Sequence, residues 1–305
     1  MGMSAIVLGD SGHGKANPLA AAARARYGAS AMARLLAGRT IVITGASSGI
    51  GAATALECAD EGMNVVLHAR RRDRLEAVAE RVRAAGRDAE VVVGSVTDDC
   101  HPTTLLDLAT ERFGGFDVVF SNAGYSFEKA AHQLDDDLRD IFEVNFFASH
   151  ALLSEAARRL IVEKKPGHLL MCSSCVARFP LALHSAYTAT KAAQSQVCRA
   201  MRVELAPHRI DVSCVYPITT ETEFYARSQQ RSGLDPPRAT APAHAPKMFV
   251  QSPQRVARAI VKCLKRPRSE VWTSFIVRAT AAAMTLVPPF TDYVMRSALT
   301  KDRRR

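Results

Sequence analysis

The strongest constraint on the fold is the stretch from Thr40 to Gly51, which runs Thr-Ile-Val-Ile-Thr-Gly-Ala-Ser-Ser-Gly-Ile-Gly. Its apolar, β-branched start predicts a buried parallel strand, and residues 52–62 after it predict a helix. The three glycines between them allow a tight turn that can approach a pyrophosphate, while the helix N-terminus supplies free N–H groups and positive dipole. A strand, a glycine turn and a helix in this order predict a nucleotide site rather than a plain strand–turn–helix.

The alternation of strands and helices continues along the chain. Strands are predicted at residues 40–44, 64–68, 89–93, 117–120, 168–172, 211–216 and 270–275. Helices are predicted at residues 52–62, 72–85, 103–113, 134–164, 185–205 and 252–264. This order predicts an α/β fold, a single-domain doubly wound parallel sheet of about seven strands with helices on both faces. The ligand of such a sheet lies at the carboxyl ends of the strands.

Three segments depart from this alternation. Residues 1–37, rich in Ala, Gly and Ser, are interpreted as a poorly ordered extension of a catalytic domain that spans residues 38–275. The polar, proline-rich segment 219–250 follows the sixth strand and is interpreted as a substrate lid, with a plain surface insertion as the alternative. The apolar and basic tail, residues 276–305, contains Pro288-Pro289 and is too interrupted to span a bilayer. We expect the tail to pack within the protein or against a partner subunit, with a membrane surface as the less favoured alternative.

A second glycine-rich run, Gly9 to Lys15, matches most of a phosphate-binding P-loop. Ala16 stands where that motif needs a magnesium-binding Ser or Thr, and Asn17-Pro18 interrupts the helix that should follow. A P-loop nucleotide hydrolase is therefore the weaker hypothesis.

The composition of the chain indicates which classes of partner it binds and in which cellular compartment it acts. The net charge of +10 suits an acidic partner, but the arginines are scattered and no basic helix carries interleaved aromatics, so nucleic-acid binding is not expected.

Seven cysteines, an odd number, argue against a disulfide framework. Cys172-Ser-Ser-Cys175 lacks a second pair or a histidine cluster, so no metal site is predicted. Without a signal peptide or a long apolar run, the chain is predicted to be cytoplasmic, with membrane association through the tail left open.

The candidate chemistry lies on the helix after the fifth strand. Tyr187 and Lys191 are four residues apart and therefore share one helix face. A phenol titrates near pH 10, and a nearby cation lowers that pKa by favouring the phenolate. Ser174, at the end of the preceding strand, can reach the same pocket and hydrogen-bond a substrate oxygen.

Taken together, these motifs resemble the short-chain dehydrogenase/reductase family over roughly Gly38 to Phe275. The match consists of the cofactor turn from Thr44 to Gly51, Asn122-Ala123-Gly124, Asn145 after Val144, Ser174, Tyr187 thirteen residues later, and Lys191 four beyond it. The resemblance implies a Rossmann fold in which Tyr187 is the general acid or base and Ser174 holds the substrate oxygen. It further implies that Lys191 lowers the pKa of Tyr187 and binds the nicotinamide ribose, and that Asn145 holds a water of the proton relay.

The resemblance also implies the cofactor contacts. They are Gly45, Ser47, Ser48, Gly49, Ile50, Gly51, Ser95, Val96, Asn122, Ala123, Gly124, Tyr187, Lys191, Pro217, Thr220 and Thr222. Two of these positions depart from the family pattern. Ser95-Val96 stands where Asp-Val is usual, and Pro217-Ile218 stands where Pro-Gly is usual, which changes the backbone freedom beside the nicotinamide.

The residues after the second strand predict the choice of cofactor. Relatives that prefer NAD carry an acid there, whereas this chain has Arg70, Arg71 and Arg72. Guanidiniums suit a 2′-phosphate through bidentate hydrogen bonds, so NADP(H) is predicted, with Arg70 as the main ligand and Arg71 in support. The alternative is that these arginines only begin the next helix.

The chain is therefore predicted to be an NADP(H)-dependent oxidoreductase that interconverts a carbonyl and a secondary alcohol. A hydrophobic substrate is favoured because the residues after the catalytic serine are apolar, namely Phe179, Pro180, Leu181 and Leu183. The alternative is a non-catalytic NADP-binding or scaffold protein of the same fold. The resemblance implies a homodimer or homotetramer through the helices at residues 134–164 and 185–205.

Overall fold

The computed structural model describes residues 33–233 and 250–302. Several predictions fall on residues outside these ranges: the extension up to residue 32 with its P-loop-like run, the lid between residues 234 and 249, and the final three arginines. Within the described residues, seven strands form one sheet in the order β3-β2-β1-β4-β5-β6-β7, with every neighbouring pair parallel. The strands are β1 (Thr40–Thr44), β2 (Asn64–Ala69), β3 (Ala89–Val93), β4 (Val118–Ser121), β5 (Gly167–Cys172), β6 (Ile210–Tyr216) and β7 (Glu270–Trp272).

Helices connect these strands and cover both faces of the sheet. They are α1 (Gly49–Asp60), α2 (Arg72–Ala84), α3 (His101–Phe113), α4 (Asp136–Phe142), α5 (Ala148–Val162), α6 (Ser185–Glu204), α7 (Glu223–Arg231), α8 (Pro253–Lys265), α9 (Phe275–Leu286) and α10 (Pro288–Asp302). The strand order reverses between β1 and β4, so their carboxyl ends border the crevice in which such sheets bind ligands. The predicted doubly wound α/β fold is confirmed.

Alternating side chains of β1 divide the core into two layers. Ile41 and Ile43 are fully buried against α1, α2 and α8 on one face of the sheet. Val42 points to the other face, where Leu105 of α3 and Leu152 of α5 are also fully buried. Because both faces are covered, the strands carry near-continuous apolar runs. Burying one such side chain contributes about 1.5–3 kcal/mol, so this core holds the strand ends firmly in register.

The structure corrects three predicted elements. The helix predicted at residues 134–164 starts at Asp136, and a π-helical turn, Glu143–Phe147, separates α4 from α5. The segment predicted as irregular from residue 219 contains α7, which starts after the N-cap Thr222. The last strand ends at Trp272 rather than residue 275, since Ser274 caps α9 by accepting a hydrogen bond from Val277 N at 3.3 Å.

The tail beyond β7 is helical as far as it is described. Pro288 begins α10, a position that a proline tolerates because the first N–H groups of a helix have no partner within it. Over residues 33–233 and 250–302, no helix is both long and apolar enough to cross a membrane.

Candidate active site

The glycine turn between β1 and α1 is fastened to the end of β4. Thr44 Oγ1 accepts hydrogen bonds from Asn122 N at 3.0 Å and from Ala123 N at 3.1 Å. In return, Asn122 Nδ2 donates to the carbonyl of Thr44 at 3.1 Å and to that of Gly45 at 3.3 Å. The asparagine of the Asn122-Ala123-Gly124 motif therefore joins the two strand ends that border the crevice.

Close approach of backbone atoms explains two of the glycines in this turn. A Cβ on Gly51 would lie 2.4 Å from the carbonyl oxygen of Gly45 and 2.7 Å from Asn122 Nδ2. Gly45 has a φ of +65°, and a Cβ there would lie 2.9 Å from Ala123 Cα. Only glycine fits both positions, which leaves a bare backbone cradle at the N-terminus of α1. Such a cradle suits a pyrophosphate.

Lys191 is buried under the carboxyl edge of the sheet, with 4% of its surface exposed. Its Nζ donates to the carbonyl of Cys172 at 2.7 Å and lies 5.5 Å from the ring centroid of Tyr187. Ser173 Oγ donates to the carbonyl of Lys191 at 2.7 Å, which ties α6 to the end of β5. Burial lowers the pKa of the Lys191 ammonium, because the charged form is poorly solvated there.

Tyr187 and Ser174 meet above this lysine. Ser174 follows β5 and caps a short 3₁₀ turn, where its Oγ accepts from Val176 N at 3.4 Å. Burial raises the pKa of Tyr187 well above its ordinary value near 10, and a hydrogen bond with Ser174 opposes this only in part. The lowering of the Tyr187 pKa expected from Lys191 is therefore not seen, and the phenol is protonated at neutral pH, which is the form that can give a proton to a carbonyl oxygen.

Asn145 lies in the π-helical turn and is fully buried. Its side chain accepts from Tyr125 N at 2.9 Å and donates to the Tyr125 carbonyl at 2.9 Å and to Thr190 Oγ1 at 3.1 Å. The main-chain carbonyl of Asn145 accepts a hydrogen bond from Gln194 Nε2. A carbonyl has two lone pairs, so Gln194 takes one of the two positions at which the expected relay water could bind. Gln194 was not predicted to be part of the site.

The arginines after β2 differ in their contacts. Arg71 Nη2 donates to Ser48 Oγ at 2.8 Å and to Ser47 Oγ at 3.2 Å, so its guanidinium lies on the glycine turn. Its Nη1 pairs with Glu223 Oε2 at 2.7 Å. Arg70 is exposed and makes no hydrogen bond or ion pair with any described residue. The geometry thus favours Arg71, predicted as the supporting ligand, over Arg70.

The segment after β6 brings one of its two predicted threonines to the glycine turn. The Thr222 methyl group lies where a Cβ on Gly49 would approach it to 2.9 Å. The Thr220 hydroxyl is engaged elsewhere, since it donates to the Ile218 carbonyl at 2.8 Å and accepts from Gln251 Nε2 at 3.2 Å. Ile218 is itself buried, and Pro217 accepts from Cys175 N at 3.0 Å. The isoleucine at the usual glycine position therefore serves as a packing residue.

The turn after β3 is held by its own side chains. Ser95 N donates to Asp98 Oδ2 at 2.8 Å, and the hydroxyls of Ser95 and Thr97 are hydrogen-bonded at 2.8 Å. Val96 follows Ser95 at the same edge of the sheet as the glycine turn, because parallel strands share one carboxyl edge.

Aromatic side chains that sequence reasoning missed surround the Tyr187 phenol. Phe224 of α7 lies 5.7 Å from the Tyr187 ring, and Tyr225 lies 5.7 Å from Phe224, both measured between ring centroids. Tyr125 and Ile141 extend this apolar wall. A signal for α7 was present in the sequence, since Thr222 followed by an acid is a common helix start.

Cys172 and Cys175 lie on either side of Ser173 and Ser174 as free thiols, the first buried and the second partly exposed. Burial raises the pKa of both Cys172 and Cys175 to about 11. In the part of the chain that the structure describes, no three His, Cys, Asp or Glu side chains come together as a metal site.

Comparisons with known proteins identify the family to which the chain is similar. The sequence model of the family described as short chain dehydrogenase matches residues 39–233. An "uncharacterized oxidoreductase" of Myxococcus xanthus is 35% identical over 189 residues, which cover 62% of this chain and 74% of that protein. The "11-beta-hydroxysteroid dehydrogenase-like 2" of Arabidopsis thaliana is 30% identical over 272 residues, which cover 86% of this chain and 83% of that protein.

Solved structures of short-chain dehydrogenases share the fold of this chain. A short-chain dehydrogenase from Sphingobium yanoikuyae in complex with NADPH matches with a TM-score of 0.69 and 26% identity, over 87% of this chain and 96% of that one. A short chain dehydrogenase from Mycobacterium paratuberculosis bound to NAD matches with a TM-score of 0.66 over 78% of this chain and 97% of that one. At 23% identity, this second likeness concerns the fold alone.

Proposed function

Because the chain belongs to the short-chain dehydrogenase/reductase family of oxidoreductases, we propose that it interconverts a carbonyl compound and a secondary alcohol with NADP(H). One observation carries this proposal. Ser174, Tyr187 and Lys191 meet at the carboxyl edge of the sheet, beside a glycine cradle that leaves room for a pyrophosphate.

The residues of the site have separate roles in the proposed reaction. Ser174 donates a hydrogen bond to the carbonyl oxygen of the substrate, and Tyr187 gives that oxygen a proton as it becomes a hydroxyl. In the opposite direction Tyr187 accepts the proton. Lys191, fixed by the Cys172 carbonyl, supplies positive charge beneath the phenol and can donate to ribose hydroxyls. When bound, the nicotinamide supplies or accepts the hydride.

Arg71 supports NADP(H) as the preferred cofactor. Its guanidinium bridges the serines of the glycine turn and remains within reach of a phosphate on the adenosine ribose. Arg70, first predicted as the main ligand, contributes exposed positive charge beside it. We expect Arg71→Ala to weaken NADPH binding by about 10- to 100-fold, because a charge-assisted hydrogen bond contributes about 1.5–3 kcal/mol. We expect Arg70→Ala to have a smaller effect and NADH binding to change little in either variant, as titration of each cofactor would measure.

A hydrophobic carbonyl compound is the proposed substrate class. The apolar wall of Phe224, Tyr225, Tyr125 and Ile141 beside Tyr187 supports it, in addition to the apolar residues at 179–183. The Arabidopsis relative is named as a hydroxysteroid dehydrogenase-like protein, and a hydroxysteroid is a hydrophobic compound of the proposed class.

Turnover separates this proposal from its alternatives. NADPH oxidation is measured with a panel of apolar ketones for the wild type and for Tyr187→Phe, which keeps the ring and removes the hydroxyl. We expect the variant to lose about 10²- to 10⁴-fold in kcat while its NADPH affinity is retained. Cofactor binding without turnover in the wild type would support the scaffold alternative. Turnover that survives deletion of residues 1–32 would exclude the P-loop hypothesis.

Self-association through the helical segments at residues 134–164 and 185–205 is the proposed assembly, as a homodimer or homotetramer. Large apolar side chains are exposed on these segments, with Phe147 of the π-helical turn at 51%, Val162 of α5 at 81% and Val203 of α6 at 75%. Light scattering after size exclusion tests this, and Val162→Glu is expected to lower the measured mass.

The C-terminal helices also expose apolar side chains, with Phe275 and Leu286 of α9 at 81% each and Tyr293 of α10 at 70%. They support contact with either a partner subunit or a membrane surface. Co-sedimentation with anionic vesicles, compared with the mass in solution, distinguishes the two. A cytoplasmic location stays a prediction.

A further inference from the structure

Glu223, the first residue of α7, makes contacts that the proposed reaction does not require. Its Oε2 pairs with Arg71 Nη1 at 2.7 Å and with Arg227 Nε at 3.4 Å, and its Oε1 pairs with Arg74. One partly exposed carboxylate therefore draws together three guanidiniums, from the strand end after β2, from α2 and from α7 itself.

Arg71 is shared between this carboxylate and the glycine turn. While its Nη2 donates to Ser47 and Ser48, its Nη1 is taken by Glu223. An arginine holds a phosphate best when both edges of its planar fork point at the phosphate oxygens. The Glu223 carboxylate therefore occupies the Nη1 donor of Arg71, which a ribose phosphate at this turn would use.

The surroundings carry more positive charge than Glu223 neutralises. Partial burial and the positive charges of Arg71, Arg74, Arg70 and Arg231 lower the pKa of Arg227. A cluster of like charges held at this density favours the binding of an anion. A phosphate can supply two negative charges, whereas the carboxylate supplies one.

The attachment of α7 does not depend on Glu223 alone. Thr222 caps the helix by accepting from Phe224 N at 3.3 Å, and its methyl group packs on Gly49. Phe224 packs against Tyr187 with 5.7 Å between ring centroids. Removing the Glu223 charge should therefore leave α7 seated, which makes the charge itself testable.

We propose that Glu223 is a determinant of cofactor selectivity, because its carboxylate competes with the 2′-phosphate of NADP(H) for Arg71. This inference rests on the proposed function, in which the glycine turn binds a dinucleotide. The 2′-phosphate has to displace the carboxylate, since two anions cannot share one guanidinium edge without like-charge repulsion. NADH lacks that phosphate and binds with the Arg71–Glu223 pair intact.

The test compares ligands that differ only in the 2′-phosphate. Calorimetry measures the binding of 2′,5′-ADP and 5′-AMP, and then of NADPH and NADH, to the wild type and to Glu223→Gln at low ionic strength. Glu221→Gln is the matched control, because Glu221 is exposed and makes no ion pair with a described residue. Melting temperatures check that each variant is folded, and Glu223→Asp, which keeps the charge but shortens its reach, provides a second variant.

We expect Glu223→Gln to tighten 2′,5′-ADP and NADPH binding by about 5- to 20-fold. The substitution removes the partly exposed ion pairs of Glu223 with the arginines, and it removes the repulsion between the carboxylate and the 2′-phosphate. The affinities for 5′-AMP and NADH should change by less than about twofold, and the control should change none of the four. Glu223→Asp should fall between the wild type and Glu223→Gln.

Other outcomes overturn the inference. Weaker NADPH binding in Glu223→Gln would mean that the carboxylate holds Arg71 in position rather than competing with the phosphate. Selective loss of 5′-AMP and NADH binding would mean that the carboxylate binds the ribose hydroxyls, and four unchanged affinities would mean that it has no role.

If the wild type shows no preference for NADPH and Glu223→Gln gains one, the inference stands and the proposed cofactor preference fails. If neither protein shows a preference, both fail.

Discussion

The substitution Gly51→Ala tests the packing on which the cofactor cradle depends. Gly51 lies in the first turn of α1, where helix propensity alone would favour alanine by about 1 kcal/mol. The added Cβ would lie 2.4 Å from the Gly45 carbonyl oxygen, whereas an ordinary contact needs 3.4 Å or more, so the two segments must separate by about 1 Å. The Gly45 carbonyl cannot retreat easily, because Asn122 Nδ2 donates to it and the end of β1 is fixed between β2 and β4.

Two measurements should report this strain. Overpacking costs about 1–3 kcal/mol, so urea unfolding of Gly51→Ala should show a lower stability despite the better helix propensity. The N–H groups at the start of α1 move as well, and loss of one charge-assisted hydrogen bond to the pyrophosphate weakens NADPH binding by about 10- to 100-fold.

Gly86→Ala is the control, since Gly86 has a φ of +76° with no atom within 4 Å of its Cβ position. That variant should lose about 1–2 kcal/mol through backbone strain alone and keep its NADPH affinity. A Gly51→Ala protein as stable as the wild type, with unchanged affinity, would refute the steric reasoning.

Two further predictions concern buried polar groups. Burial lowers the pKa of both His68 and His101, whose rings lie 4.7 Å apart, to about 4. The unfolded chain takes up protons below about pH 6.5 that the folded chain does not, so stability falls as the pH drops from 6.5 towards 4. Lowering the pH from 7 to 5 should cost about 2 kcal/mol per histidine, and urea midpoints that do not differ between these pH values would contradict this. Asn145→Leu leaves the N–H and the carbonyl of Tyr125 without their partner and should cost about 2–4 kcal/mol. Gln194→Leu should change the stability by only about 1 kcal/mol, because it loses the bond to the Asn145 carbonyl and a long one to Ser149 Oγ at 3.4 Å but also removes a buried Oε1 that has no partner among the described residues. Thermal melts of the two variants should therefore differ clearly.

Local patterns in the sequence were enough to predict the architecture. The β-branched run at Thr40–Thr44 and the glycines after it define a strand and a turn without reference to any distant residue. The i,i+4 spacing of Tyr187 and Lys191 likewise fixes their common face as soon as α6 forms. Because each of these signals lies within a few residues, they could be found in one chain without its structure.

Contacts between distant segments could not be predicted in this way. Arg71 and Glu223 are 152 positions apart, and nothing local to either residue indicates that they pair. The same holds for Gln194, which reaches the Asn145 carbonyl 49 positions away. The sequence alone also could not rank Arg70 and Arg71, since two adjacent residues at the end of a strand point in different directions.

The sequence by itself thus determined the fold class and the glycine cradle, because these follow from local periodicity and spacing, while its resemblance to a known family supplied the identity of the candidate catalytic side chains. Only the tertiary structure decided which arginine lies on the cradle, which acid opposes it and which aromatic rings enclose Tyr187. Those choices depend on how α7 packs across the glycine turn, and that packing is set by steric fit and charge between elements far apart in the chain.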